Sequence, residues 1–309
     1  MGMTAEVRKR KGFLSRYSAH EARVAYLYLI PAFAGLTCIT YGPLIAVFAL
    51  SFFSWKGALA PSFIGINNFI RLFTEDPYFI DSLRVTCYFS LLAVFGSMIY
   101  SLVIAMLLNR KIPARGFFRA VFYLPYVLPA VAVFIGWSWL YESNFGLFNY
   151  VLNQLGIHKI SFIVDPKFVV PSLALIAVWL SGNMIVIFLA GLQNVSRVYY
   201  EAAEIDGANA WQRFLHVTVP GMTPIIFYNL LMSLVTNLQI VTPALALTSG
   251  GPGNSSMFIS YLMYRYAFKS NQLGYASAIS FVFFIIAAIF TGILFATSKS
   301  WIFYEGAEK

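Results

Sequence analysis

Residues 85–108 read VTCYFSLLAVFGSMIYSLVIAMLL, a run of 24 residues without a charged side chain. A helix rises about 1.5 Å per residue, so about 20 apolar residues are enough to cross the hydrocarbon of a bilayer. A basic or acidic side chain at the centre of such a helix costs about 2.5–3.5 kcal/mol. Residues 85–108 are therefore predicted to form a transmembrane helix.

Five further stretches have the same character, and all 33 charged residues lie outside the six of them. The six predicted spans are 24–53, 85–108, 120–140, 168–192, 221–248 and 274–298. We therefore predict an all-α fold, a polytopic membrane bundle of six transmembrane helices. Residues 24–298 form the membrane domain, between an N-terminal tail of residues 1–23 and a C-terminal tail of residues 299–309.

The overall composition agrees with a membrane protein. Hydrophobic residues make up 60% of the chain and charged residues only 11%, with a mean hydropathy of +0.74. In a typical soluble domain about a quarter of the residues are charged, so a soluble enzyme and a disordered chain are both excluded. Cys38 and Cys87 lie in apolar runs, which indicates neither a disulfide framework nor a thiolate metal site.

The basic residues predict the orientation in the membrane. Fourteen of the 21 lysines and arginines lie in the two tails and in the second and fourth loops, residues 109–119 and 193–220. Because basic loops stay on the cytoplasmic side, both termini are predicted to be cytoplasmic. The net charge of +9 is thus explained by topology, without a nucleic-acid partner. The basic tail precedes a long span without a small-residue cleavage site, so it is not predicted to be a signal peptide.

Prolines are frequent in the predicted spans. They are Pro31, Pro43, Pro125, Pro129, Pro171, Pro224 and Pro243. A proline removes one backbone hydrogen bond, which is tolerated in a membrane where neighbouring helices or a water-lined cavity satisfy the freed group. Plain kinking explains any one of them equally well. All seven together favour a bundle that moves or that surrounds a pathway.

The fourth loop carries more acid than its predicted cytoplasmic location explains. Glu201, Glu204 and Asp206 face only Arg197 and Arg213 within residues 193–220. Such a concentration of carboxylates suits either a solvated connector on the membrane surface or a docking element whose acids meet arginine or lysine of a partner.

The same loop has the pattern of two short helices. Val198, Ala202 and Ile205 recur on one face of the first helix, and the turn at Asp206–Gly207 ends it. Trp211, Phe214 and Leu215 give a second helical pattern, which is predicted to end where Pro220 begins the fifth span. The small Ala202 and Ala203 leave room for close approach by another backbone.

These residues resemble a family motif. Residues 201–208 read EAAEIDGA, and with Phe214 and Pro220 they resemble the EAA motif of ABC-importer permeases. Val219 stands where the family usually has leucine. Shorter matches at residues 63–69 (FIGINNF), 109–111 (NRK), 250–252 (GGP) and 274–278 (GYASA) extend the resemblance over residues 25–298. They indicate the carbohydrate-uptake branch, similar to the first permease of maltose- and lactose-type importers.

The resemblance implies a type I ABC importer permease fold in a bacterial cytoplasmic membrane. It implies four protein partners, namely a second permease, two ATPase subunits and an extracytoplasmic solute-binding protein. The chain contains no Gly-Lys dipeptide and hence no P-loop, so it is predicted not to be an enzyme and to bind no cofactor; ATP and magnesium belong to the ATPases. The residues implied to couple the permease to an ATPase are Glu201, Ala202, Ala203, Asp206, Gly207, Ala208, Phe214 and Pro220.

Substrate contacts are predicted where polar or aromatic residues interrupt the apolar spans. These residues are Trp179, Leu180, Ser181, Gly182 and Asn183 in the fourth span, and Ser233, Asn237 and Gln239 in the fifth. Ser233 and Asn237 share a helix face. The pattern at these two positions resembles that of the maltose-type permeases, in which the matching residues contact the sugar. For Asn183 and Gln239 a hydrogen bond between helices is an equally good interpretation.

One extracytoplasmic loop is predicted to face the binding protein. Its residues Gly250, Gly251 and Pro252 match the family, although an ordinary flexible loop would look the same. No catalytic residues and no metal site are predicted, because His20, His158 and His216 are dispersed among the loops.

Several alternatives remain at the level of the sequence. The cargo is expected to be a sugar or oligosaccharide, with glycerol phosphate or an acidic glycan such as alginate as alternatives. A stand-alone secondary transporter would normally need carboxylates within its spans, and a membrane enzyme would need clustered titratable groups. Neither feature is found in this sequence.

Overall fold

The computed structural model describes residues 21, 23–57 and 60–302, which are almost entirely helical. The helices are Arg23–Leu50 (α1), Asn67–Thr74 (α2), Phe79–Asn109 (α3), Arg115–Val127 (α4), Ala130–Leu140 (α5), Leu147–Gln154 (α6), Val169–Trp179 (α7), Gly182–Asn194 (α8), Arg197–Ile205 (α9), Ala210–Leu238 (α10), Ile259–Tyr264 (α11) and Leu273–Trp301 (α12). A two-stranded antiparallel ladder pairs β1 (Phe53–Ser54) with β2 (Ser62–Phe63).

Within the described residues, four helices are long and apolar enough to cross a membrane unbroken, namely α1, α3, α10 and α12. Two further pairs of helices are bent at a short break, α4 and α5 by 100° and α7 and α8 by 50°. If each bent pair is one span, the number rises to six. The predicted spans 120–140 and 168–192 are therefore each divided between two helices that meet at an angle. At the first break, Pro129 pushes Leu128 into an extended conformation, as proline does to the residue before it.

The fifth predicted span also has different bounds. Helix α10 ends at Leu238, and a separate π-helical turn at Ala244–Thr248 occupies the end of the predicted range 221–248. Nor does Pro220 mark a helix start, because α10 begins at Ala210 and continues through it. A π-helical turn at Phe214–Thr218 makes this possible. The amide of Val219 donates to the carbonyl of Phe214, so the ladder shifts by one residue just before the proline.

Helix α3 is the centre of the packing and contacts α7, α8 and α10. Every fourth residue on one of its faces is small and buried, namely Ala93, Ser97, Ser101 and Ala105. Small residues at this spacing let neighbouring helices approach closely, which maximises van der Waals contact in a membrane. By contrast, α1 contributes no buried residue, and its second half contacts α12.

A carboxylate joins distant segments beside the first turn of α3. Asp76 accepts hydrogen bonds from the hydroxyls of Tyr266, at 2.9 Å, and Tyr275, at 2.5 Å. The guanidinium of Arg71 lies 4.1 Å from the ring centre of Tyr275. Burial and the hydrogen bond to Asp76 raise the pKa of Tyr266 to about 12. This cluster fixes the start of α12 against the α2–α3 junction.

Candidate functional site

A cavity of about 440 Å³ lies among α3, the two bent helix pairs and α10. None of the described residues that line it carries a charge. Its polar lining from α10 consists of Tyr228, Asn229, Ser233, Thr236 and Asn237. The remaining polar lining consists of Ser97, Tyr126, Ser181, Asn183 and Thr242. Hydroxyls and amides can donate and accept hydrogen bonds without a net charge, so the cavity suits an uncharged polar ligand.

One wall of the cavity is the break between α7 and α8. Ser181 lies at this break, and its hydroxyl donates to the carbonyl of Val178 at 2.7 Å. The same hydroxyl is 2.9 Å from that of Ser101 on α3. The bend therefore does not leave Ser181 unsatisfied, and it places Leu180 and Ser181 at the cavity surface.

The opposite wall is a single face of α10. Residues three or four positions apart on this helix point the same way, and here they include Asn229, Ser233 and Asn237. The amide of Asn237 donates to the backbone carbonyl of Ser233 at 2.8 Å and lies 3.1 Å from its hydroxyl. The side chain of Asn229 is only 2% exposed, and its amide nitrogen has no hydrogen-bond partner within the described residues.

A second feature is the turn between α9 and α10, which we call the elbow (residues 197–217). The amide of Ala208 donates to the carbonyl of Ala203 at 2.9 Å, and the amide of Gly207 to that of Glu204 at 3.1 Å. This is the Schellman arrangement, which needs a left-handed residue just after the helix. Gly207 supplies it with a φ of +76°.

On the C-terminal side of the turn, the start of α10 is capped by a side chain. The Asn209 side chain accepts from the amide of Gln212, and the Gln212 side chain accepts from the amide of Asn209, at 2.9 and 2.8 Å. This capping box satisfies two amides that a helix start leaves free. Hydrogen bonds between residues 203 and 212 therefore specify both sides of the turn locally.

The outer surface of the elbow is apolar and acidic. Ile205 is 87% exposed, Val198 67% and Trp211 65%. Arg213 pairs with Glu204, whereas Glu201 is exposed and forms no ion pair with any described residue. Large apolar side chains clustered with an unpaired acid are typical of a protein-binding surface.

Residues 96–302 match the family described as the binding-protein-dependent transport system inner membrane component. The chain belongs to this family. The permease is 38% identical over 299 residues to the probable ABC transporter permease protein YesP of Bacillus subtilis, with 96% of each chain covered. It is 36% identical over 265 residues to the multiple sugar-binding transport system permease protein MsmF of Streptococcus mutans, with 84% of this chain and 90% of that one covered.

A solved structure has the same fold as the permease. It is a bacterial ABC transporter involved in the import of the acidic polysaccharide alginate, and the match has a TM-score of 0.78 over 93% of this chain and 98% of that one. At 21% identity the likeness concerns the fold alone. The resemblance to importer permeases and the all-α, multi-pass membrane fold are thus confirmed.

Five of the eight predicted substrate residues of the permease line the cavity. They are Leu180, Ser181, Asn183, Ser233 and Asn237. The other three lie elsewhere. The ring of Trp179 packs 5.5 Å from that of Trp137, Gly182 lies so close to α4 that a Cβ would be 2.7 Å from the carbonyl oxygen of Phe122, and Gln239 is exposed beyond the end of α10.

The predicted coupling residues all lie in or beside the elbow. Glu201, Ala202, Asp206 and Gly207 are exposed, and Ala203, Ala208, Phe214 and Pro220 are half-buried. Phe214 packs its ring 5.4 Å from that of Trp211, and Pro220 follows the π-helical turn inside α10. Their role in coupling remains a prediction.

The loop predicted to face a binding protein has a defined shape. The hydroxyl of Ser256 donates to the carbonyl oxygen of Gly251 at 2.5 Å and lies 2.6 Å from the hydroxyl of Thr248. Gly250 is buried, and Gly251 and Pro252 are half-buried. The exposed tip of this loop is at residues 253–254, just beyond the predicted contact residues.

Sequence reasoning missed several cavity residues of the permease. Asn229 was detectable, because it lies four residues before Ser233 on the helix face already singled out. Ser97, Tyr126 and Tyr228 gave no comparable signal, since isolated serines and tyrosines are common in membrane helices.

Proposed function

We propose that the permease is one of two permease subunits of an ABC importer that moves a sugar or oligosaccharide across a bacterial cytoplasmic membrane. An extracytoplasmic binding protein delivers the substrate, and two ATPase subunits drive its passage. The observation that carries the proposal is the exposed apolar and acidic elbow around Gly207 in a chain of the binding-protein-dependent family.

The elbow is proposed as the contact with an ATPase. Its exposed Val198, Ile205 and Trp211 would enter an apolar cleft, and Glu201 would pair with a basic residue there. The basic residues of the tails and of residues 109–119 support a cytoplasmic location for this side, where ATP is available. Closure of the ATPases would then move the two permeases between inward- and outward-facing states.

The cavity is proposed as this subunit's half of the translocation pathway. Its volume lies within the range of small-molecule sites, about 300–1,000 Å³, and its hydroxyls and amides match sugar hydroxyls. Relatives named for sugar transport, such as MsmF, support this substrate class. Glycerol phosphate or an acidic glycan would call for a basic residue in the cavity, and the described lining holds none.

Purification of the tagged permease from its own membrane tests the assembly. We expect a second permease and two ATPase subunits to co-isolate, and the solute-binding protein to stimulate ATP hydrolysis in proteoliposomes. A permease that transports substrate alone, without an ATPase, would overturn the proposal in favour of a secondary transporter. If the importer assembly is isolated, thermal shift of the binding protein against a glycan panel would identify the cargo.

Replacing Ser233 and Asn237 together by alanine is expected to lower sugar uptake by about tenfold or more. The double variant removes two hydrogen-bonding groups, and each is worth about 0.5–1.5 kcal/mol. Uptake kinetics of the reconstituted complex measure the effect. Gln239→Ala is the control. Gln239 follows the end of the same helix, is exposed and does not line the cavity. Unchanged kinetics in the double variant would remove both residues from the site.

A further inference from the structure

Asn229 lies closer to the elbow than the two sugar contacts predicted on α10. It precedes Ser233 by four residues, which places it about 6 Å closer to the elbow along the helix. It lines the same cavity as Ser233 and Asn237. Its side chain is therefore on the path that a substrate would take from those contacts toward the elbow.

The amide of Asn229 is buried without a partner. The residue is 2% exposed, and its Nδ2 atom has no hydrogen bond within the described residues. Leaving a buried amide unpaired costs about 1–3 kcal/mol. In a packed interior, such a group would normally be replaced by an apolar side chain of similar size. A ligand that enters the cavity would supply the missing acceptor.

The surroundings of Asn229 restrict the chemistry of that ligand. Ser97 on α3 is 4% exposed and lines the same cavity, so the cavity offers a buried hydroxyl as well as the amide. The cavity also has an apolar lining, which includes Met184, Ile187 and Met232. Because none of the described lining residues is charged, an anionic ligand would enter this half of the cavity uncompensated.

We infer that Asn229 and Ser97 form an inner hydrogen-bonding subsite for an uncharged saccharide, located between the Ser233–Asn237 contacts and the elbow. The inference rests on the proposed function and adds to it a residue pair and a substrate class. The Asn229 amide donates to a sugar hydroxyl, and the Ser97 hydroxyl donates to or accepts from a neighbouring one. A disaccharide or longer sugar would occupy both subsites in turn during transport.

Asn229→Leu in the complete reconstituted transporter tests the subsite. The probes are maltose, trehalose, lactose and raffinose, with digalacturonate as the acidic counterpart, and the neutral sugar with the fastest uptake is then compared with its monodeoxy analogues. Wild-type transporter should discriminate against at least one analogue. Asn229→Leu should reduce that discrimination by about fivefold or more, which corresponds to about 1 kcal/mol. A merely structural role for Asn229 would lower the uptake of sugar and analogues equally.

A second readout and two controls complete the test. Replacing an unpaired buried amide by leucine should leave the melting temperature of the complex unchanged or raise it. Gln239→Leu should leave the discrimination unchanged, whereas Ser233→Ala should reduce it for a different hydroxyl. If Asn229→Leu leaves all ratios as in wild type while the wild type takes up the sugar, the subsite is wrong and the proposed function stands. If digalacturonate alone is transported, the uncharged substrate class is overturned, and if no probe is transported, the proposed function itself fails.

Discussion

Gly207→Arg is expected to abolish sugar uptake and the ATP hydrolysis that the loaded binding protein stimulates, while the permease still inserts into the membrane. Gly207 has a φ of +76°, and apart from its two neighbours in the chain no described residue has an atom within 4 Å of a Cβ placed on it. A long basic side chain would therefore have open space beside the backbone and would protrude from the elbow. It would then occupy the space that the proposed ATPase needs.

The left-handed backbone of Gly207 adds a smaller effect, which a control separates. A non-glycine residue in this conformation costs about 1–2 kcal/mol. Gly156 has a φ of +71° and likewise no atom within 4 Å of a Cβ, but it lies in the loop after α6, on the predicted opposite side. Gly156→Arg introduces the same strain and the same charge, so we expect it to retain most of the uptake.

Uptake and ATPase assays on both variants in proteoliposomes distinguish a blocked ATPase contact from backbone strain. Gly207→Asn provides a further comparison, because asparagine tolerates the left-handed conformation and its side chain is short; we expect partial activity. Normal coupling in Gly207→Arg would contradict docking at the elbow. Equal losses in Gly207→Arg and Gly156→Arg would assign the effect to backbone strain alone.

The approximate location of the apolar helical segments followed from the sequence because hydropathy records how much of the chain is apolar enough to lie in lipid. It does not record direction. The apolar run 120–140 contains a 100° bend and the run 168–192 a 50° bend, yet both remain uncharged throughout. Pro129 indicated a kink at the first break, whereas the interruption by Ser181, Gly182 and Asn183 was interpreted as a substrate site and not as a bend.

The elbow was predicted well because its determinants are local. The turn at Gly207 and the helix on either side follow from residues within a few positions of each other. The continuity of α10 across Pro220 was not predicted, since the π-helical turn that accommodates it leaves no signature in the sequence. Contacts between distant parts of the chain could not be predicted from the sequence. The clearest example is the Asp76 cluster, because Asp76 bonds to Tyr266 and Tyr275, which follow it by 190 and 199 positions.

Gly274→Ala is expected to destabilise the permease, whereas Gly292→Ala on the same helix should stabilise it slightly. A methyl group at Gly274 would overlap the carbonyl oxygen of Phe53 and lie 3.0 Å from the backbone nitrogen of Trp55. Neither neighbour is the mobile end of a side chain. The backbone of β1 would have to move, which would break the bond from the Gly274 amide to the carbonyl of Trp55 at 3.3 Å. Overpacking of this kind costs about 1–3 kcal/mol or more.

Gly292 supplies the matched comparison for the same substitution. A Cβ there has no atom within 4 Å, and alanine in the middle of a helix is favoured over glycine by up to about 1 kcal/mol. Melting of the detergent-solubilised complex should therefore shift down for Gly274→Ala and slightly up for Gly292→Ala. Shifts of the same sign would show that β1 yields to the methyl group. The opposite signs expected here would establish that the start of α12 is held against β1 by backbone contact, which leaves no room for a side chain.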